Sequence, residues 1–207
     1  MSSVTVLTNP DGFFDRASDD PSLLPPAAIV LVVALATAAA SFPITQAIAE
    51  SLPAEAGPAG SIAMVSGLLG PFLATFLFWV IYAVVFHAIA VFAFDGAGSF
   101  SRLLAYVGWG HVPAILSVAV SGVTNYVIAQ NLTPPSDPQR IGAFTRTLQN
   151  QPEFLIASLV GLVVLAWQAF IWTFAVRHSH GLDLRGAAIT VAIPVVLQTG
   201  WQLLNLL

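Results

Sequence analysis

The sequence predicts an all-α polytopic integral membrane protein with five transmembrane helices. Five long apolar stretches carry few charges, and they fall near residues 27–48, 66–93, 102–128, 154–177 and 186–206. Each supplies about the 20 apolar residues that a helix needs to cross a hydrocarbon core about 30 Å thick. The composition agrees, because 57% of the residues are hydrophobic and only 8% are charged, whereas soluble domains are about one quarter charged.

The composition also excludes several classes of protein. The chain has no cysteine, which rules out disulfides, thiolate nucleophiles and cysteine-ligated metals. Its formal net charge is -4, and it lacks the basic patch of a nucleic-acid-binding protein. The expected partners are therefore membrane lipids, a second copy of the chain or another membrane protein.

Residues 1–25 are polar and acidic, and they are predicted to form a cytoplasmic N-terminal tail. A single five-helix transmembrane domain over residues 26–207 follows. The tail lacks the basic leader and short apolar run of a cleavable signal peptide. Phe13 and Phe14 fit an interfacial element at headgroup level; a solvated tail over residues 1–9 is the alternative.

Prolines predict interruptions in the first two apolar stretches. Pro43 is expected to kink or end the first helix, and residues 49–61 are expected to form a loop. A helix over residues 62–93 would be about 48 Å long, well beyond the hydrocarbon thickness. Gly67, Gly70 and Pro71 offer a break, so the sequence predicts a bent or interfacial first part and then a true span from about Pro71 to Ala93.

The connections predict hairpins and one surface helix. Residues 94–101 and 178–185 are short enough to join antiparallel neighbours. In the longest connection, residues 131–152, Asp137 and Pro138 are typical of a helix start, and apolar residues then recur at helical spacing. We expect a short interfacial helix there.

The arginines predict the orientation of the chain in the membrane. Four lie on one side of the predicted bundle and two on the other: Arg16, Arg102, Arg177 and Arg185 against Arg140 and Arg146. The excess of positive charge in cytoplasmic loops then places the N-terminus in the cytoplasm and the C-terminus outside.

Four side chains are candidates for an intramembrane polar site. Around the first hairpin His87 and His111 differ in depth by about 4.5 Å, so the two could meet. Gln168 and Gln198 reach similar depths around the last hairpin. Ionisable groups in hydrocarbon are costly and invite a functional hypothesis, whereas hydrogen bonding between helices is the simpler interpretation.

No catalytic, cofactor or metal residue is predicted. The chain contains none of the common hydrolase, metalloprotease or phosphate-binding motifs, and Asp95 is the only acid close to a span interior. His178 and His180 are expected at the aqueous surface, where an anionic-lipid contact fits them better than a metal, which needs a third ligand.

Gly108, Gly110 and Pro113 predict a broken or flexible third helix. Breaks of this kind bind substrate in transporters. Glycine and proline are also common in membrane helices that have no such role. Both interpretations stay open at this point.

Residues 95–116, DGAGSFSRLLAYVGWGHVPAIL, resemble the Yip domain family, named for interaction with Ypt/Rab GTPases. In that family a Gly-Ser-Phe-like turn enters a helix with a glycine–aromatic pair, and a proline follows. The matching positions here are Gly98, Ser99, Phe100, Gly108, Trp109 and Pro113.

The resemblance implies trafficking or organelle-shaping roles for eukaryotic members, which carry a long cytosolic N-terminal region. Here about 25 residues precede the first span, so the chain is similar to the short prokaryotic members of the family and is expected in a prokaryotic cell membrane. Because the long cytosolic region is missing, GTPase binding is not carried over. The sequence favours a non-enzymatic scaffold that acts through helix packing and partner or lipid contacts. The alternative is a small transporter or channel subunit with a polar path at His87, His111, Gln168 and Gln198.

Overall fold

The computed structural model describes residues 5–17, 20–148 and 151–204, and all regular structure in these residues is helical. The helices are α1 (Thr5–Thr8), α2 (Pro10–Asp15), α3 (Leu24–Ser51), α4 (Ala59–Phe94), α5 (Phe100–Trp109), α6 (Ala114–Gln130), α7 (Ile141–Leu148), α8 (Pro152–His180) and α9 (Leu184–Leu204). Single 3-10 turns lie at Ala54–Ala56 and Pro138–Arg140.

The helix lengths match a membrane protein. Helices α3, α4 and α8 are each long and apolar enough to cross a bilayer. Helices α5 and α6 are bent by 49° at a short break and are together long and apolar enough to be one broken span, while α9 contains a shorter apolar helix, Leu184–Gly200. The chain is therefore an all-α polytopic membrane protein, which confirms the predicted fold class.

Helix α4 is continuous, so the predicted break at Pro71 is wrong. Its 36 residues span about 54 Å. Gly67, one turn before Pro71, lies directly against the Thr45 side chain of α3, and Thr75 Oγ1 donates to Pro71 O at 3.0 Å. Packing against α3 therefore supports α4 where the proline removes a backbone donor, as neighbouring helices commonly do in membranes.

Pro43 does not end α3 either. The helix continues to Ser51, so the connection to α4 is shorter than the predicted loop. On α6, Asn125 Nδ2 donates to Ala40 O at 2.8 Å. This bond joins the two helices one turn before the proline and supports the backbone where the proline interrupts the hydrogen-bond ladder.

The short helix predicted in the 131–152 connection is present as α7. It follows the 3-10 turn at Pro138–Arg140, whose cap is Asp137: Oδ1 of that residue accepts from Gln139 N at 2.9 Å. An N-cap aspartate followed by proline therefore starts this element, as the sequence indicated.

The buried core is concentrated at one end of the bundle. We call this the inner end: it carries the 95–99 turn and the 181–183 turn. All buried residues of α4, and all those of α8 except Val164 and Leu165 near its midpoint, lie in the C-terminal halves that reach this end. The largest core side chains there are Trp79, Tyr82, Phe86, Leu103, Trp172 and Val176.

Candidate functional site

The N-terminal segment, residues 5–17, is docked against α5 and α8. The side chains of Val6, Phe13 and Phe14 are buried. The Phe13 ring meets the Trp109 ring edge-on, with centroids 5.2 Å apart, and the centroids of Phe14 and Tyr106 are 4.8 Å apart. Residues 5–7 are therefore packed, and the solvated-tail alternative does not hold for them, whereas Thr8 and Asn9 are exposed. Residues 1–4, which the alternative also includes, lie outside the described residues.

A polar contact holds the same segment at the inner end of α8. Asp11 Oδ1 accepts from Arg177 Nη1 at 2.9 Å and lies 2.7 Å from His178 Nε2. The hydrogen bond from His178 is the main reason that the pKa of the Asp11 carboxyl is below its ordinary 3.8, and the charge of Arg177 adds to it. The contact remains partly open to solvent, with Asp11 48% exposed.

The turn before α5 fits tightly onto the end of α8. Ala97 N donates to His180 O at 3.2 Å. A Cβ on Gly98 would overlap the Ser179 carbonyl, so only glycine permits this approach. Ser99 Oγ then caps α5 by accepting from Arg102 N. The Gly-Ser-Phe sequence thus combines a close backbone contact with a helix start.

His87 meets His180, not His111. His87 Nδ1 lies 2.8 Å from His180 Nε2, and His180 Nδ1 lies 2.9 Å from Ser179 Oγ. Ser179 Oγ donates to Val176 O at 3.2 Å. Because the serine proton is used there, its oxygen accepts from His180 Nδ1–H, and His180 Nε2 accepts from His87 Nδ1–H. One directed hydrogen-bond chain therefore joins α4 to α8.

His180 is only 3% exposed, which corrects the expectation of an aqueous position. Helix α8 runs to His180 and ends at Gly181, which has φ +67°. Successive helical residues are about 100° apart, so His178 and His180 point in nearly opposite directions. His178 faces Asp11, while His180 faces α4.

His111 lies in the break between α5 and α6, as its glycines and proline predicted. Its Nδ1 is 3.1 Å from Val107 O, and Trp172 Nε1 donates to the same carbonyl at 3.0 Å. Gln168 Nε2 donates to Gly110 O at 3.1 Å. Side chains of α8 therefore satisfy carbonyls that the interrupted helix leaves without a regular partner.

Gln198 is not brought to this cluster. It is exposed on α9, while Gln168 is buried against α6. The predicted hydrogen bonding of the two glutamines is replaced by the bond from Gln168 to the helix break. Three of the four candidate polar residues thus lie in interhelical contacts, and they form two separate groups.

Metal binding receives no support from the geometry of the described residues. No three His, Cys, Asp or Glu side chains within them converge as a metal site would require. In the same part of the chain, the one buried side-chain polar atom without a hydrogen bond is the hydroxyl of Tyr82, whose ring lies 4.7 Å from that of Trp172.

The Yip1 domain family model matches residues 4–204 of the chain. The chain belongs to the Yip1 domain family. It is 30% identical over 122 residues to an uncharacterised protein of Methanocaldococcus jannaschii, covering 58% of this chain and 86% of that protein. No solved structure matches.

In this Yip1 domain the motif glycines are sites of close helix approach. Gly108 faces Pro26 of α3 and the indole of Trp79. Gly110 is not one of the motif positions, but a side chain there would overlap the Trp172 indole. With Gly98 against α8, the motif locks α5 to three neighbouring helices, a use of small residues that is common where membrane helices pack closely.

Proposed function

We propose that this Yip1 domain protein is a non-enzymatic membrane-organising or trafficking-type scaffold that acts through helix packing and through lipid or partner contacts. The use of its interior polar groups supports the proposal. Gln168, Trp172 and His87 each form a hydrogen bond that joins one helix to another segment of the bundle. Such bonds stabilise a fixed helix arrangement.

The surface of the protein supports contacts in the membrane plane. The N-terminal half of α4 has no buried residue, and its exposed side chains include Ile62, Val65, Leu69, Leu73 and Leu77. These residues recur at intervals of three or four and form one apolar stripe. Lipid tails, a second copy of the chain or another membrane protein would each match its chemistry.

Cross-linking and flux measurements together test the scaffold proposal. Photo-cross-linkers at Leu69 and Leu73 in native membranes are expected to give discrete protein adducts, while the same group at buried Phe86 is the matched control and should give none. In proteoliposomes the protein should add no solute flux. Flux that disappears in a folded His87→Leu variant would overturn the scaffold proposal.

The broken third span favours transport as the second candidate. Broken helices form substrate sites in transporters, and here the break at residues 110–113 lies beside His111 and Gln168. A Gln168→Leu variant that abolishes a measured flux, with the Gln198→Leu control unchanged, would favour transport. Equal flux in both variants would count against a pathway at the break.

We also propose a multi-pass position in a prokaryotic cell membrane, with the N-terminus cytoplasmic and the C-terminus outside. Arg102, Arg177 and Arg185 all lie at the inner end, where cytoplasmic positive charge is expected. Reporter fusions at each terminus test this. Both termini on one face would mean an even number of crossings and would overturn the proposed topology.

A further inference from the structure

The N-terminal segment, residues 5–17, runs alongside α8. Asp11 meets Arg177 and His178, while Leu7 O accepts from Trp167 Nε1 at 3.2 Å. Trp167 is ten residues before Arg177, so the segment runs along α8 for about 15 Å. The side chains of Val6, Phe13 and Phe14 are buried, and the ionic contact of the segment with α8 lies at the inner end.

That attachment uses a pair of groups well suited to an anion. Arg177 offers a planar fork of donors, and His178 Nε2 is directed at the same oxygen of Asp11. Both residues lie in the last turn of α8, where the span ends and lipid headgroups begin. The side chains of Arg177 and Asp11 are 37% and 48% exposed, so an outside anion can reach them.

We propose that Arg177 and His178 form a binding site for a phosphate group, which Asp11 occupies within the same chain. Phosphate carries more charge and more acceptor oxygens than a carboxylate, and arginine binds it through two donors. The ligand is the phosphate of an anionic lipid headgroup or free phosphate. The inference depends on the proposed lipid-contact function, because it names one such contact.

Occupation by phosphate frees Asp11. The segment then loses its ionic contact with α8, and the buried Val6, Phe13 and Phe14 side chains can transfer to the lipid interface. Docking of the segment and binding of phosphate therefore oppose each other, and by linkage each weakens the other by the same factor.

Distance measurement on the full chain tests the competition. Because the sequence has no cysteine, cysteines introduced at the exposed Arg16 and Leu184 accept spin labels uniquely. In phosphatidylcholine nanodiscs we expect one distance population. Added phosphatidylglycerol should produce a second, longer population as the segment leaves α8.

Asp11→Asn should raise the ratio of undocked to docked protein at a given phosphatidylglycerol content by about threefold, the size expected of a partly exposed ion pair. Asp15→Asn makes the same charge change at an exposed residue and is the matched control, expected to behave as wild type. Arg177→Gln should make the distances independent of phosphatidylglycerol. Thermal unfolding of each variant confirms that the bundle is intact.

Inorganic phosphate added to phosphatidylcholine nanodiscs separates the two sources. A response to phosphate assigns the site to a soluble ligand, and a response to phosphatidylglycerol alone assigns it to lipid. Equal responses of Asp11→Asn and Asp15→Asn, or distances that neither anion changes, would overturn the site. That failure would leave the scaffold proposal standing, because cross-linking along α4 and solute flux test it separately.

Discussion

The two ends of the bundle are built differently. At the inner end, the C-terminal halves of α4 and α8 enclose Phe86 and Trp172, and α5 is locked between them. At the other end, the N-terminal half of α4 buries no side chain, and Leu73 is 59% exposed. The inner end is packed by the chain itself, whereas the outer end leaves its apolar surface to lipid or to a partner.

This difference locates where substitutions should matter for folding and where they should matter for contacts. The two closest glycine contacts, at Gly98 and Gly110, lie toward the inner end. A substitution there changes the free energy of unfolding, because it breaks a defined interhelical contact. At the outer end α3 is contacted by Gly67 and Asn125, but glycines such as Gly161 face open space.

The largest effect on the free energy of unfolding is expected for Gly98→Ala, with Gly161→Ala as its control. The added methyl at Gly98 overlaps backbone of α8, whereas nothing lies within 4 Å of a Cβ at Gly161. We expect Gly98→Ala to cost about 3 kcal/mol or more, the upper range for overpacking, and Gly161→Ala to be neutral. Reversible unfolding in mixed micelles measures both. Equal stabilities would show that the turn does not lock onto α8.

Gln168→Leu should have the next largest effect. It removes the hydrogen bond to Gly110 O, which we expect to cost about 1 kcal/mol, within the range for interhelical bonds in membranes. Gln198→Leu, on the exposed face of α9, is the matched control and should leave the unfolding midpoint unchanged. A larger loss from the Gln198 substitution would contradict the observed placement of the two amides.

Double-mutant cycles should identify the partner of His87. His87 is hydrogen-bonded to His180. Leucine substitutions of these two residues should therefore give a coupling energy of about 0.6 kcal/mol, the average for such pairs. With His111, which is bonded to Val107 O instead, the two effects should add. Coupling to His111 and none to His180 would refute the hydrogen-bond chain.

Acid should weaken the docking of the N-terminal segment, the smallest effect of the four. Because the pKa of Asp11 is lowered from 3.8 in the folded protein, the contact with Arg177 and His178 stabilises docking above pH 3.8 and loses this contribution as pH falls below it. The mobility of a spin label at an introduced Arg16→Cys should rise in acid. In Asp11→Asn the label should show no such transition.

The broad architecture follows from hydropathy, so it could be predicted from the sequence. The apolar stretches, the short helix after Asp137 and the break near Gly110 all depend on local residue chemistry. The break predicted at Pro71 failed for a different reason. Contact between Gly67 and Thr45 on α3 helps α4 to continue, and no local pattern reports which helix lies alongside.

The candidate site was only partly predictable. Similar depth led to the prediction that His87 and His111 could meet, but His87 is bonded to His180 and His111 to Val107 O, because pairing depends on the rotation of each helix. His180 was missed because α8 was expected to end at Arg177. A glycine after the last helical residue is a common stop signal, and Gly181 could have extended the helix to include His180. Asp11 and Arg177 are 166 positions apart in the sequence, so no local sequence pattern could have predicted their contact.

The hydrogen bond between Leu7 and Trp167 also constrains the order of assembly. Its two residues are 160 positions apart, so this early segment cannot take its final position until α8 has been synthesised. Until α8 enters the membrane, Phe13 and Phe14 have no Ile171–Ala175 surface to cover. Docking of the segment therefore reports that α8 is in place.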